Sequence, residues 1–132
     1  MNIKQILNAE NHGCNYIVEA DVVISDGEYE IFCYFNYDDI FKAEGPTVGK
    51  KIKRIFGNTF IDISAIKIDE QKCKIEKSPK NNYQYLVQGQ LVDKYGKIKV
   101  NNLTFETNIH IDKDIIVGDF IQFYVDRFDC FI

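Results

Sequence analysis

Tyr16-Ile17-Val18-Glu19-Ala20-Asp21-Val22-Val23, followed by Ser25-Asp26-Gly27-Glu28, decides the fold class of this chain. In an extended backbone Tyr16, Val18, Ala20 and Val22 share one face, and Glu19 and Asp21 share the other. That alternation describes a half-buried antiparallel strand. The Asp26-Gly27 pair then marks a hairpin, because glycine accepts the positive φ that a twist-matched turn requires. The run from Tyr29 to Tyr37 supplies the aromatic and β-branched residues that suit a pleated surface.

The pattern returns 69 residues later. Tyr85-Leu86-Val87-Gln88-Gly89-Gln90-Leu91-Val92 has the same phase, Gly96 in Lys94-Tyr95-Gly96-Lys97 falls on Gly27, and Val117-Gly118 with Ile121 falls on Val48-Gly49 with Ile52. A second hairpin, completed by Ile98 to Phe105, is therefore expected. Asp38 to Glu44 reads as one helical turn closed by the breaker Gly45-Pro46, whereas Thr107 to Asp112 alternates like a strand. Gly57-Asn58 is expected to bend the final strand of the first copy before Thr59 to Ile68 resumes it. Phe120 through Ile132 is expected to close the second copy.

These elements predict an all-β fold over 1–132: a single domain in the form of a small barrel or sandwich of antiparallel strands, built from two related three-strand halves. The halves are an internal duplication of 16–63 and 85–132, joined by a surface connection at 64–84 with a short strand around Cys73 to Glu76.

With 45% hydrophobic and 27% charged residues in 132, the chain can bury a core without staples. Its formal net charge of −4 and pI of about 5.1 oppose non-specific attraction to phosphate backbones or anionic lipid. Arg54 and Arg127 are the only arginines, so bidentate reading of bases is poorly supplied. No run approaches the roughly 20 apolar residues of a membrane span, and no membrane partner is expected. Met1 to Glu10 lacks the apolar stretch of a signal peptide. Cys14, Cys33, Cys73 and Cys130 contain no Cys-x-x-Cys pair and read as reduced thiols, which points to the cytoplasm.

Chemistry-bearing motifs fail one by one. Glu44-Gly45-Pro46-Thr47-Val48-Gly49-Lys50-Lys51 has Glu where a phosphate-binding loop needs its first glycine and Lys where it needs Ser/Thr, so it reads as a turn into a strand. His12-x-Cys14 is too close-spaced and isolated for a zinc site, and His110-x-Asp112 fits the polar face of a strand whose Ile109 and Ile111 turn inward. Ser25, Ser64 and Ser78 sit in no nucleophile elbow. The Asp38-Asp39 pair, which acid-base work on a sugar would use, suits an exposed turn. No catalytic residue, cofactor or metal is expected, and no family signature is legible.

A binding role is what remains. Tyr29, Phe32, Tyr34, Phe35, Tyr37 and Phe41 are too dense for one sheet face to bury. Tyr34, Tyr37, Asp38, Asp39 and Phe41 are therefore expected to present an acidic and aromatic surface to a protein partner. Immunity proteins that neutralise basic toxins are acidic in the same way. The alternative is a single-stranded nucleic-acid binder of OB type, using Lys50, Lys51, Lys53 and Arg54 with Phe56 and Phe60 as stacking platforms. Strand alternation would split that cluster, with Lys51 and Lys53 on one face and Lys50 and Arg54 on the other. Self-association is compatible with either reading.

Overall fold

The computed structural model describes residues 1–13, 17–36, 45–60 and 63–132. Among them are eleven strands and no helix: β1 (Asn2–Glu10), β2 (Glu19–Ser25), β3 (Glu30–Asn36), β4 (Arg54–Asn58), β5 (Ile66–Lys67), β6 (Lys74–Lys77), β7 (Tyr85–Leu91), β8 (Lys97–Val100), β9 (Leu103–Thr107), β10 (Phe120–Val125) and β11 (Arg127–Phe131). The all-β class read from the sequence is thus the class observed. The chain divides into one unit of residues 1–55 with 128–132 and another of residues 56–127.

In the first unit, β2 and β3 form the expected hairpin. Ala20 faces Phe35, Val22 faces Cys33 and Ile24 faces Ile31, and all six are buried. Burying each large apolar side chain contributes about 1.5–3 kcal/mol. The turn is held by Asp26, whose Oδ1 accepts from the N–H groups of Glu28 and Tyr29, while Gly27 adopts φ 92°. β1 covers the other edge of β2 and pairs antiparallel from Asn2 opposite Ser25 to Glu10 opposite Glu19. Asp21, expected on the outward face, is buried. Asn8 compensates by donating its side-chain amide to the Asp21 carboxylate at 3.0 Å.

β11 runs parallel to β3, with Phe128 opposite Cys33. Phe128 and Cys130 are fully buried. Cys33 and Cys130 are free, as is the half-buried Cys73, and burial together with the neighbouring Cys130 pushes the Cys33 thiol well up. Cys14 lies outside the described residues.

The second unit has the strand order β4-β9-β8-β7-β10-β5, with β6 also on β7. β7 is its axis. β10 pairs along one edge of it, and the other edge is shared by β6 at Tyr85 to Gln88 and β8 at Gln90 and Leu91. The expected phase holds, with Tyr85, Val87, Gly89 and Leu91 buried and Leu86, Gln88 and Gln90 half-buried.

Pairing is mixed rather than all antiparallel, since β4 and β9 are parallel. It is also open. Among the described residues no pairing joins β1 to β11, or β4 to β5, so neither path closes into the barrel that the sequence led us to expect.

The 69-residue offset matches some features. Gly27 and Gly96 take φ 92° and 99°, and Gly49 and Gly118 take φ 91° and 99°. Elsewhere the two stretches differ. β3 is unbroken, whereas its counterpart turns at Asn101-Asn102 between β8 and β9, with Asn101 at φ 53°. The final stretch divides at Asp126 into β10 and β11. Among its described residues, Thr59 to Ile68 carries β5 and a Ser64 bridge to His110. Asn108 and Asp126, distant in sequence, accept the N–H groups of Thr59 and Phe60 through their side chains, at 2.7 Å each, in place of ladder bonds.

Gly89 is where β7 and β8 approach most closely. A Cβ there would sit 2.8 Å from the Lys99 carbonyl oxygen and 2.9 Å from a Val100 methyl. Gly89→Ala is accordingly expected to destabilise the protein by about 1–3 kcal/mol through overpacking, measured as a lower urea midpoint at unchanged m-value.

Candidate functional site

A concavity among the described residues lies wholly within the second unit. It is a cavity of about 500 Å³, inside the range of about 300–1,000 Å³ that ligand and side-chain pockets occupy. β5 contributes Ile66, β10 contributes Phe123 and Tyr124, and the preceding segment contributes Ile63. The connection from β6 to β7 supplies Ser78, Pro79 and Gln84. Ile63, Ile66 and Tyr124 are 63%, 63% and 52% exposed, and Phe60 nearby is 64% exposed. Large apolar groups thus stand open to solvent around the hollow.

Three of its polar residues, Ser78, Gln84 and Asp126, are bonded in series. Ser78 donates through Oγ to Gln84 Oε1 at 2.8 Å. Gln84 Nε2 donates to Asp126 Oδ1 at 3.2 Å, and Asp126 Oδ2 accepts the Phe60 N–H. Gln84 is itself buried and its N–H is held by Asn81 Oδ1. This chain of bonds fixes that side of the wall, with both oxygens of Asp126 accepting hydrogen bonds.

A second arrangement lies at the end of the β1–β2 pair in the first unit. His12 sits in a turn at φ 46° followed by Gly13 at φ 84°. Its Nε2 is 3.0 Å from Glu19 Oε2 and 3.4 Å from Glu10 Oε2. Tyr34 donates its hydroxyl to Glu19 Oε1 at 2.8 Å, and Asn36 donates to the Tyr34 oxygen at 3.1 Å. The bond to His12, then that from Tyr34, holds the Glu19 carboxyl below its ordinary 4.5. Tyr34, expected on a partner surface, is therefore half-buried and tied to Glu19. Tyr37, Asp38, Asp39 and Phe41 lie outside the described residues.

Lys51, Lys53 and Arg54 are all exposed, with Ile52 and Ile55 turned inward. Lys51, Ile52 and Lys53 alternate exposed, buried, exposed, Lys50 is half-buried, and regular strand begins at Arg54. The segment before it is pinned by backbone bonds from Ile3 to the Lys50 carbonyl, from Ile52 to Met1 and from Lys53 to Phe131. The Arg54 guanidinium lies 4.4 Å over the Phe131 ring. The Thr47 to Lys50 turn has Gly49 at φ 91° and a Lys50 N–H bond to the Thr47 carbonyl, a turn as read from the sequence. His110 and Asp112 are exposed and 3.3 Å apart on the polar side of their segment, opposite the buried Ile109.

No family model, no curated protein and no solved structure matches the chain.

Sequence reasoning missed the cavity because Ile63 and Ile66 were read as part of a continuous strand. Their spacing of three, which no single strand face can bury, was the available signal. It also missed the Glu10–His12–Glu19 grouping, whose members become neighbours only once β1 is recognised as a strand.

Replacing Asp126 tests the wall. Asp126→Ala is expected to cost about 1–2 kcal/mol by stranding the Gln84 amide and the Phe60 N–H. Asp126→Asn, which retains an acceptor, should cost less, both being measured by chemical denaturation.

Proposed function

We propose that this protein is a non-enzymatic binding domain whose partner is a basic protein that inserts an apolar side chain into the cavity rimmed by Ile63, Ile66 and Tyr124. The observation carrying this reading is a pre-formed apolar hollow with a hydrogen-bonded wall, beside large apolar groups that remain open to solvent. Desolvated anchors of this kind dominate binding energy at protein interfaces. The choice of a basic partner follows from the net charge of −4, which steers oppositely charged proteins towards the chain. Immunity-type neutralisation of a basic protein is one biological form the role would take, and reduced thiols at Cys33, Cys73 and Cys130 favour a cytoplasmic setting. The paired positive-φ glycines support descent from a duplicated unit that has since diverged.

Affinity capture from the native source, with wild-type chain beside Ile66→Asp and Tyr124→Asp, tests the proposal. Both side chains are exposed, so both variants should fold. A stoichiometric basic protein should be retained by the wild type and bound at least about tenfold more weakly by each variant. Capture indifferent to both substitutions, or no stoichiometric partner, would refute the assignment.

A second reading, a single-stranded nucleic-acid binder, is favoured by one observation: Lys51, Lys53 and Arg54 are all exposed, and the Arg54 guanidinium lies over the Phe131 ring. It requires salt-sensitive binding of an oligonucleotide that is lost when Lys51 and Lys53 are changed to Glu. Fluorescence anisotropy at low salt showing no binding would eliminate it.

A further inference from the structure

We propose that Glu10, His12 and Glu19 form a three-ligand site for a divalent first-row transition-metal ion such as Zn²⁺. The three side chains each offer one ligand atom, and these atoms all lie within 4.8 Å of one another. The site is a product of register. Glu10 closes β1 and Glu19 opens β2 as direct cross-strand partners, which brings two carboxylates to one side of a pair of strands. The turn beyond β1 then carries the His12 ring to them.

The spacing fits a shared ion. Ligand atoms about 2.1 Å from one metal are ~3.0 Å apart at a right angle and ~3.4 Å apart at the tetrahedral angle. The separations of His12 Nε2 from the Glu19 and Glu10 oxygens are 3.0 and 3.4 Å. Both contacts converge on the same ring nitrogen, whose lone pair in the matching neutral tautomer would be offered to the cation. Two carboxylates with a neutral imidazole would carry two negative charges, which a divalent ion balances.

The donor set selects the metal class. One imidazole nitrogen with two carboxylate oxygens suits zinc and its first-row neighbours, whereas calcium requires six to eight oxygens. Tyr34 has a defined part. By donating to Glu19 Oε1 it turns Oε2 towards His12, as outer-shell partners do at metal centres, where their removal typically costs about 10–100-fold in affinity. Asn36 in turn orients the Tyr34 hydroxyl. Glu10 and His12 are exposed, so the remaining coordination positions would be filled by water or by a donor from a partner.

Isothermal titration of the metal-free, reduced chain with Zn²⁺ alone tests the site, with Co²⁺ absorption reporting the ligand type. One equivalent should bind to the wild type, giving a cobalt spectrum of nitrogen and oxygen ligation without thiolate charge transfer. His12→Ala and Glu19→Gln should each weaken binding at least tenfold, Tyr34→Phe should weaken it by a similar order, and His110→Ala should leave it unchanged. Circular dichroism on each variant separates loss of ligand from loss of fold. No binding by the wild type, equal binding by His12→Ala, or a thiolate signature would overturn the proposal and leave a surface ion pair.

Discussion

The second unit depends on the register of β7 against β10. Val87 stands opposite Phe123, Leu86 opposite Tyr124, and Tyr85 opposite Val125. Because side chains alternate with a period of two, this pairing buries Phe123 and Val125 and sends Tyr124 outward. A slip of one residue would reverse every one of those assignments. It would expose the Val87 and Ile121 core, bury Gln88 and Gln122, and take Tyr124 away from the cavity. Gln88 donating to Gln122 at 2.7 Å across the same pair helps fix the match on the outer side. β6 and β8 then build outward from β7, β5 adds to β10, and the cavity forms where β5 and β10 meet the connection that leads into β7.

The fold class was legible in the sequence because its signals are local. The alternation of Tyr85, Val87, Gly89 and Leu91 reports burial on one face, and the glycines at 27 and 96 report turns, whatever the rest of the chain does. Pairing partners were not legible. Nothing near Phe128 announces that β11 will lie parallel to β3, since a parallel neighbour is chosen by the whole chain path rather than by a turn. The division of the last stretch at Asp126 was hidden for a related reason. Asp126 looks like an ordinary polar residue in a strand, yet its carboxylate is engaged by Gln84 and by the Phe60 N–H, contacts between residues 42 and 66 positions apart.

Little of the site was legible: the apolar groups open around the hollow are Ile63, Ile66 and Tyr124, none of which the sequence reading named for a partner surface. Tyr34, drawn from the expected aromatic surface, serves Glu19 instead. The basic residues at 51, 53 and 54 are all exposed, with Ile52 and Ile55 buried between them. Charge is also unevenly divided. The first unit holds ten acidic and six basic residues, and the second holds ten of each. The net negative charge therefore lies in the first unit, while the apolar cavity belongs to the second.

Cross-strand nuclear Overhauser contacts measured by solution NMR on β6, β7 and β10 bear most directly on this account. Backbone proton contacts should link Gln88 with Gln122 and Leu86 with Tyr124 along one edge of β7, and Lys74 with Gln88 along the other. Contacts displaced by one residue, or sequential patterns of helix in Tyr85 to Leu91, would contradict the register on which the core and the cavity both rest.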